Sequence, residues 1–225
     1  KLPSRDKRIR HNADLAYAHL KDIVSRSGEM NELVVAVPSE YGEEELALLA
    51  GIFEALKIKI NAIVDSNVAS LSGWAPEGNY SVLRVNLHHS TVSRLKIEDR
   101  IILEDVNVIE NIGWNMIHHK IANYAARNFL EQTRFYPFHQ GHSEQLLYNQ
   151  VPEFIRSAKI ASTFDASIAH HGVAYTTHLK SENLSKEIRE PIKTLYREVE
   201  GSRTHVVISE QFSELPGVDE IFSNY

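Results

Sequence analysis

Asn86-Leu87-His88-His89-Ser90-Thr91 gathers two imidazoles, two hydroxyls, a carboxamide and a run of backbone amides at one predicted turn. Groups of this kind can hold an anion; the plainer alternative is a hairpin turn between two strands. Arg156 and Lys159, three apart on a predicted helix, could flank a ligand or form a solvated face. Trp114, beside Gly113, could stack on a base or serve as a core contact. The twelve histidines include pairs at 88–89, 118–119 and 170–171 and a His139-x-x-His142 spacing. His139 and His142 fall in a predicted loop without an HExxH or carboxylate-rich partner, and adjacent histidines on a strand point to opposite faces, so no metal centre is expected. Phe135-Tyr136-Pro137-Phe138 is a candidate surface for a protein partner, with burial as the alternative. No GxSxG, P-loop or Rossmann signature is present, and Asp14 and His19 are too far apart in helical phase to act as a relay.

These residues need elements to hold them. Apolar residues at Ile9, Ala13, Ala16, Leu20, Ile23 and Val24 predict an amphipathic helix over 4–27, closed by Gly28. Continuous apolar runs at 33–37 and 60–64 predict strands buried on both faces. Between them lies a helix opened by Glu43, Glu44 and Glu45, with Leu46, Leu49, Ala50, Phe53 and Leu56 inward. Asp65-Ser66-Asn67 caps a short helix stopped by Gly73. Pro76-Glu77-Gly78-Asn79 is the main break, dividing 1–78 from 79–225. Residues 80–108 then predict a three-strand meander with turns at 88–91 and 98–100. A helix follows from Gly113 to about residue 132, with Ile117, Ile121, Tyr124, Ala125 and Phe129 as its stripe. Next come a loop at 134–142, a helix at 143–159, a hairpin turned at His170-His171-Gly172, and a helix at 181–200 kinked or broken at Pro191. A buried strand at 204–209 and a short helix ending at Phe222 complete the chain.

The composition is that of a folded globular protein: of 225 residues, 43% are apolar and 24% charged. A net charge of -6 gives no basic field to recruit nucleic acid or an anionic membrane, so neither is expected as a partner. The absence of cysteine fits a reducing cytoplasm, the expected location. The opening KLPSRDKR, with neither an initiator Met nor an apolar signal core, reads as the start of a fragment.

The order of elements resembles the ATPase domain of the actin, DnaK-type heat-shock chaperone and sugar-kinase superfamily, and within it the DnaK-type chaperones. Val34-Val35-Ala36-Val37-Pro38 and Ile63-Val64-Asp65-Ser66-Asn67-Val68-Ala69-Ser70 resemble the VTVP and INEPTAAA segments. Asn86 to Ser93 falls on the D-x-G-G-G-T-x-D phosphate turn, and Ile112-Gly113 with the helix through Phe129 on the LGG-E-D-F-D helix. Arg156-Ser157-Ala158-Lys159 falls on the adenine-side helix, and Val206 to Pro216 on the adenosine loop. The resemblance implies an α/β actin-like (ribonuclease H-like) fold: a partial first lobe, then a second lobe with a mobile, lid-like α/β insertion near 130–200. It implies ATP or ADP with Mg²⁺ as the ligand, if there is one. Asn86, His88, His89, Ser90 and Thr91 would lie at the phosphates, and Gly113, Trp114, Asn115, Arg156 and Lys159 toward the nucleoside. Ser209, Glu210 and Ser213 would lie beneath it.

The departures bear on activity. Family glycines and acids on the phosphate turn are replaced by His88, His89 and Ser90 and by Asn86 and Ser93. Ser66 stands for the helper Glu, Asn67 for the neighbouring Pro, and Glu210 for an adenosine-loop glycine. Losing one oriented catalytic group typically costs about 10²-fold or more in rate. The expectation is therefore a chaperone-like module with a degenerate nucleotide cleft, a pseudoenzyme in a binding or regulatory role without catalytic residues. The alternatives are an active phosphotransferase of the sugar-kinase branch and a ligand-free structural or assembly protein.

Overall fold

The computed structural model describes residues 11–28, 32–200 and 204–223. Ile9 and the rest of the predicted helix before residue 11 lie outside the described residues. The protein is α/β, and its chain divides into two compact units, Lys1–Ala75 and Pro76–Tyr225. Among the described residues no helix is long and apolar enough to cross a membrane.

The first unit carries α1 (Asn12–Ser27), β1 (Glu32–Val37), α2 (Glu43–Ala55), β2 (Lys59–Asp65) and α3 (Ser66–Leu71). Gly28 ends α1 at φ 86, a backbone state that a side chain would strain. Glu45 accepts from the Gly42 amide at 3.0 Å to start α2, and Asp65 accepts from the amides of Asn67 and Val68 at 2.8 and 2.9 Å to start α3. β1 and β2 pair in parallel across the α2 crossover. The expectation that both strands are buried on two faces fails. Val37 is buried, but Val34 is 59% exposed and Ile63 38%. A sheet of only two strands, with helices packed from α2 and α3, leaves the alternate side chains uncovered.

The second unit opens with the meander β3 (Gly78–Val85), β4 (Ser90–Ile97) and β5 (Ile101–Ile109). Next are α4 (Trp114–Thr133), a 3-10 turn (Pro137–His139), α5 (Gly141–Ile160), the hairpin β6 (Thr163–His170) and β7 (Val173–Lys180), and α6 (Ser181–Arg197). β8 (His205–Ile208), α7 (Glu210–Ser213) and α8 (Val218–Ile221) follow. The main sheet runs β5-β4-β3-β8, antiparallel across the meander, with β8 parallel to β3. The β6–β7 turn is formed by His171 at φ 48 and Gly172 at φ 79, the two positive values that match the twist of a tight hairpin.

α4 is the hub of one continuous core. Ile117, Ile121, Tyr124, Ala125 and Phe129 are buried against Leu147, Val151 and Phe154 of α5 and Leu184, Ile188 and Ile192 of α6. The inserted helices and hairpin thus share the core of α4. The Tyr124 hydroxyl donates to the Lys180 carbonyl at 3.1 Å and accepts from the Lys180 amide at 2.9 Å, which fixes the end of β7. α6 runs unbroken through Pro191, against expectation, because Pro191 is itself buried in the packed stripe of Leu184, Ile188, Ile192 and Leu195. The burial of that stripe outweighs the one backbone bond that a proline removes. β8 is half-buried rather than buried, since it is an edge strand. The segment 134–142 is not all loop: it holds the 3-10 turn, and α5 begins at Gly141.

Phe129→Ala is expected to lower unfolding free energy by about 3–5 kcal/mol, because a fully enclosed ring leaves a cavity. Leu130→Ala, on the exposed side of α4, is expected to change it by under about 0.5 kcal/mol. Urea denaturation of the two variants measures both.

Candidate functional site

The β3–β4 connection lies two residues earlier than the sequence suggests. It spans Asn86 to His89 and is closed by the Asn86 amide donating to the His89 carbonyl at 2.8 Å. Ser90 and Thr91 do not belong to it: both lie in β4 and are buried, at 0% and 1% exposure. Ser90 donates its hydroxyl to the Ile112 carbonyl at 2.7 Å, and Thr91 Oγ1 is enclosed without a hydrogen-bond partner. The two hydroxyls lie on opposite faces of β4 and both faces are covered, so neither is offered to a ligand on the turn. His88 is exposed, with Nδ1 3.2 Å from Asn115 Nδ2, and Asn86 Nδ2 sits 3.1 Å from His89 Nε2.

α4 starts directly against this turn. Its first two amides, Trp114 and Asn115, each donate at 2.9 Å, to the carbonyls of Asn86 and Leu87 respectively. These are amides that a helix N-terminus would otherwise offer to an anion. Gly113 makes the approach possible. A Cβ there would stand 2.6 Å from the His88 carbonyl carbon and 2.7 Å from both the His89 nitrogen and the Leu87 oxygen. No residue of the turn takes a positive φ, so the alternating backbone of an anion nest is absent.

Beside the turn, a cleft of about 350 Å³ is lined by Trp114 and His118 of α4, Pro152, Ile155 and Arg156 of α5, and Gln211 and Glu214 around α7. The Trp114 and His118 rings are 5.6 Å apart and tilted. Burial holds the His118 imidazole below its usual range, so it is neutral at neutral pH. The mix of an aromatic ring, apolar side chains, a guanidinium, an amide and a carboxylate suits a flat, polar-edged molecule. It contains no nucleophile with an adjacent base.

Trp114 and Arg156 therefore meet in one cleft, while the other nucleoside-side candidates have different duties. Arg156 donates to Glu153 at 2.5 and 3.1 Å. Lys159 donates to the Ser213 carbonyl at 2.7 Å and lies 3.5 Å from Asp219, tying α5 to the α7–α8 segment. Ser209 caps α7 by accepting from the Phe212 amide at 3.2 Å, Glu210 opens that helix, and Ser213 donates back to the Glu210 carbonyl at 2.7 Å. Pro152 and Ile155 are not among the sequence candidates, His118 is there only as half of a histidine pair, and Gln211 and Glu214 only within the 206–216 segment. Helical spacing is the available signal for two pairs: Trp114 and His118, and Pro152 and Arg156, are each one turn apart.

Among the described residues no cluster of His, Asp or Glu could hold a metal ion. Ser93, where the resemblance calls for an acid, is fully buried in β4. Asn67, at the other switch in character, donates its side-chain amide to Ser39 at 2.9 Å. The aromatic loop is pinned inward: Pro137 is buried, and Phe135 stacks on Tyr175 at 4.3 Å and meets Phe129 edge-on at 6.3 Å.

The chain matches no model of a known protein family, and no curated protein matches it.

Gly113→Ala is expected to destabilise the protein by about 1–3 kcal/mol or more, since the added methyl meets backbone rather than a movable side chain; thermal unfolding measures it. His118 gives a pH dependence. Its proton affinity is lower folded than unfolded, so the stability linked to its neutral form is present above the ordinary imidazole range and is lost as pH falls through and below it. Melting temperature between about pH 7.5 and 5.5 is expected to fall less steeply in His118→Asn than in the unaltered protein.

Proposed function

We propose that this chain is an actin-like module of the DnaK-chaperone type, with a binding or regulatory role and no efficient ATP hydrolysis. In support of the fold stands the main sheet. A three-strand meander with a fourth strand laid parallel beside its first, reached through α4 and an α/β insertion, is what the second lobe of such a protein requires. The first unit adds a parallel strand–helix–strand step.

The observation that carries the function is the closed β3–β4 turn. Triphosphate cleavage in this superfamily needs inward-pointing amides and acids that position Mg²⁺ and water. Here the amides of Trp114 and Asn115 bond the turn itself, the hydroxyls of Ser90 and Thr91 are buried, and Asn86 and Ser93 stand where acids are needed. The residues present do not fit a magnesium-bound triphosphate. The side-chain cleft around Trp114 and Arg156 stays open beside it, so any nucleotide is held by its base without cleavage.

A ligand-free assembly role is the second reading, favoured by the uncovered apolar side chains of the first unit, Val34, Leu48 and Ile63.

With ATP at about 1 mM, a ligand bound a hundredfold above its dissociation constant would stabilise by about 2.7 kcal/mol. The expected result is no Mg²⁺-dependent rise in melting temperature and phosphate release at the background rate. A Mg²⁺-dependent rise accompanied by phosphate release contradicts the proposal.

A further inference from the structure

A second, separate constellation lies at the outer end of the insertion, where the end of α4 meets the β6–β7 turn. A cavity of about 220 Å³ is lined there by Arg134, Phe135, Tyr136, His139, Gln140 and His170, with Ser143 at its base. Ser143 is already satisfied, donating to the Pro137 carbonyl at 2.6 Å. His170 lies 5.2 Å from the Phe135 ring and 4.1 Å from the His171 ring, and His139 sits edge-on to Tyr136 at 5.0 Å. No carboxylate lines the cavity. Among the described residues the Arg134 guanidinium has no ion-pair partner. The nearest acids along the chain, Glu131 on α4 and Glu144 on α5, do not line the cavity, and Asp165 is engaged by His178. In a chain of net charge -6, this corner gathers one guanidinium and the imidazoles of His139 and His170, with the His171 ring 4.1 Å from that of His170.

We infer that this corner binds an acidic peptide segment of a partner protein. The cavity has room for a single side chain, with Arg134, His139 and His170 to receive its carboxylate. His142 and His171 lie outside the cavity yet close enough to repel a proton on His170, whose affinity is lowered first by burial and then by these two neighbours. Occupying them takes further carboxylates along the same ligand, which a lone anion does not supply and an acidic stretch does. A nucleic acid is the weaker fit. Phe135 is already stacked on Tyr175 at 4.3 Å, Tyr136 is engaged edge-on by Phe138 and His139 at 5.6 and 5.0 Å, and the cavity lining holds a single guanidinium rather than a row of cations for a backbone. A carboxylate seated beside His170 opposes the burial and the neighbouring imidazoles that lower its proton affinity, so binding takes up a proton there and tightens as pH falls. This inference is independent of what the Trp114 cleft holds.

The test is fluorescence anisotropy of a labelled oligoglutamate peptide with the whole chain at about pH 7.5 and about pH 5.5. Binding is expected to be roughly tenfold tighter at the lower pH. The whole protein also becomes less negative over that range, so variants decide the point. The double variant His139→Gln with His170→Gln is expected to lose most of the gain, and Arg134→Gln to weaken binding at both pH values. His19→Gln, on the exposed side of α1, is expected to keep the gain. Equal affinity at the two pH values, an unchanged double variant that melts like the unaltered protein, or displacement by a single-stranded oligonucleotide at equal charge concentration would each overturn the inference.

Discussion

Two backbone hydrogen bonds join the helical and sheet halves of the second unit: the amides of Trp114 and Asn115 to the carbonyls of Asn86 and Leu87. Gly113 lets the helix end come this near, and the bonds in turn hold the β3–β4 turn against it. α4, anchored there, runs on to organise the packing of α5, α6 and the β6–β7 hairpin. Positive charge at a helix start is usually available to a ligand. Here it is answered by the protein's own carbonyl oxygens.

That closure divides the site chemically. On the side of the β3–β4 turn the backbone is self-satisfied, and the hydroxyls of Ser90 and Thr91 are buried. On the other side Trp114, His118 and Arg156 leave a cleft whose shape comes from side chains on α4, α5 and α7. Lys159 holds the rim together through the Ser213 carbonyl and Asp219 rather than reaching into it.

Much of the fold was legible because strong periodicity and turn chemistry agree. The meander, the α4 stripe from Ile117 to Phe129 and the His171-Gly172 hairpin follow from local patterns that tertiary packing reinforces. What failed depends on information that local pattern does not hold. α7 is a single turn, too short to show a period, although Ser209 marks its cap. Pro191 signals a break, yet the helix continues because its neighbours are enclosed. Val34 and Ile63 look interior by composition, but how many strands join a sheet is not written in any one of them. For the site, a turn could be read from the sequence but not its position: it lies two residues earlier than expected, which places Ser90 and Thr91 within β4 rather than on the turn. Gln211 and Glu214 reach Trp114 only through tertiary packing, so nothing near Trp114 in sequence points to them.

Amide hydrogen exchange at Trp114 and Asn115 tests the central claim most directly. If their N–H groups are bonded to the turn, both exchange slowly in the free protein, unlike the open amides of an ordinary helix start, and magnesium-ATP leaves them unchanged. Fast exchange in the free protein, or protection that appears only when magnesium-ATP is added, would show amides available to phosphate and would contradict a closed turn.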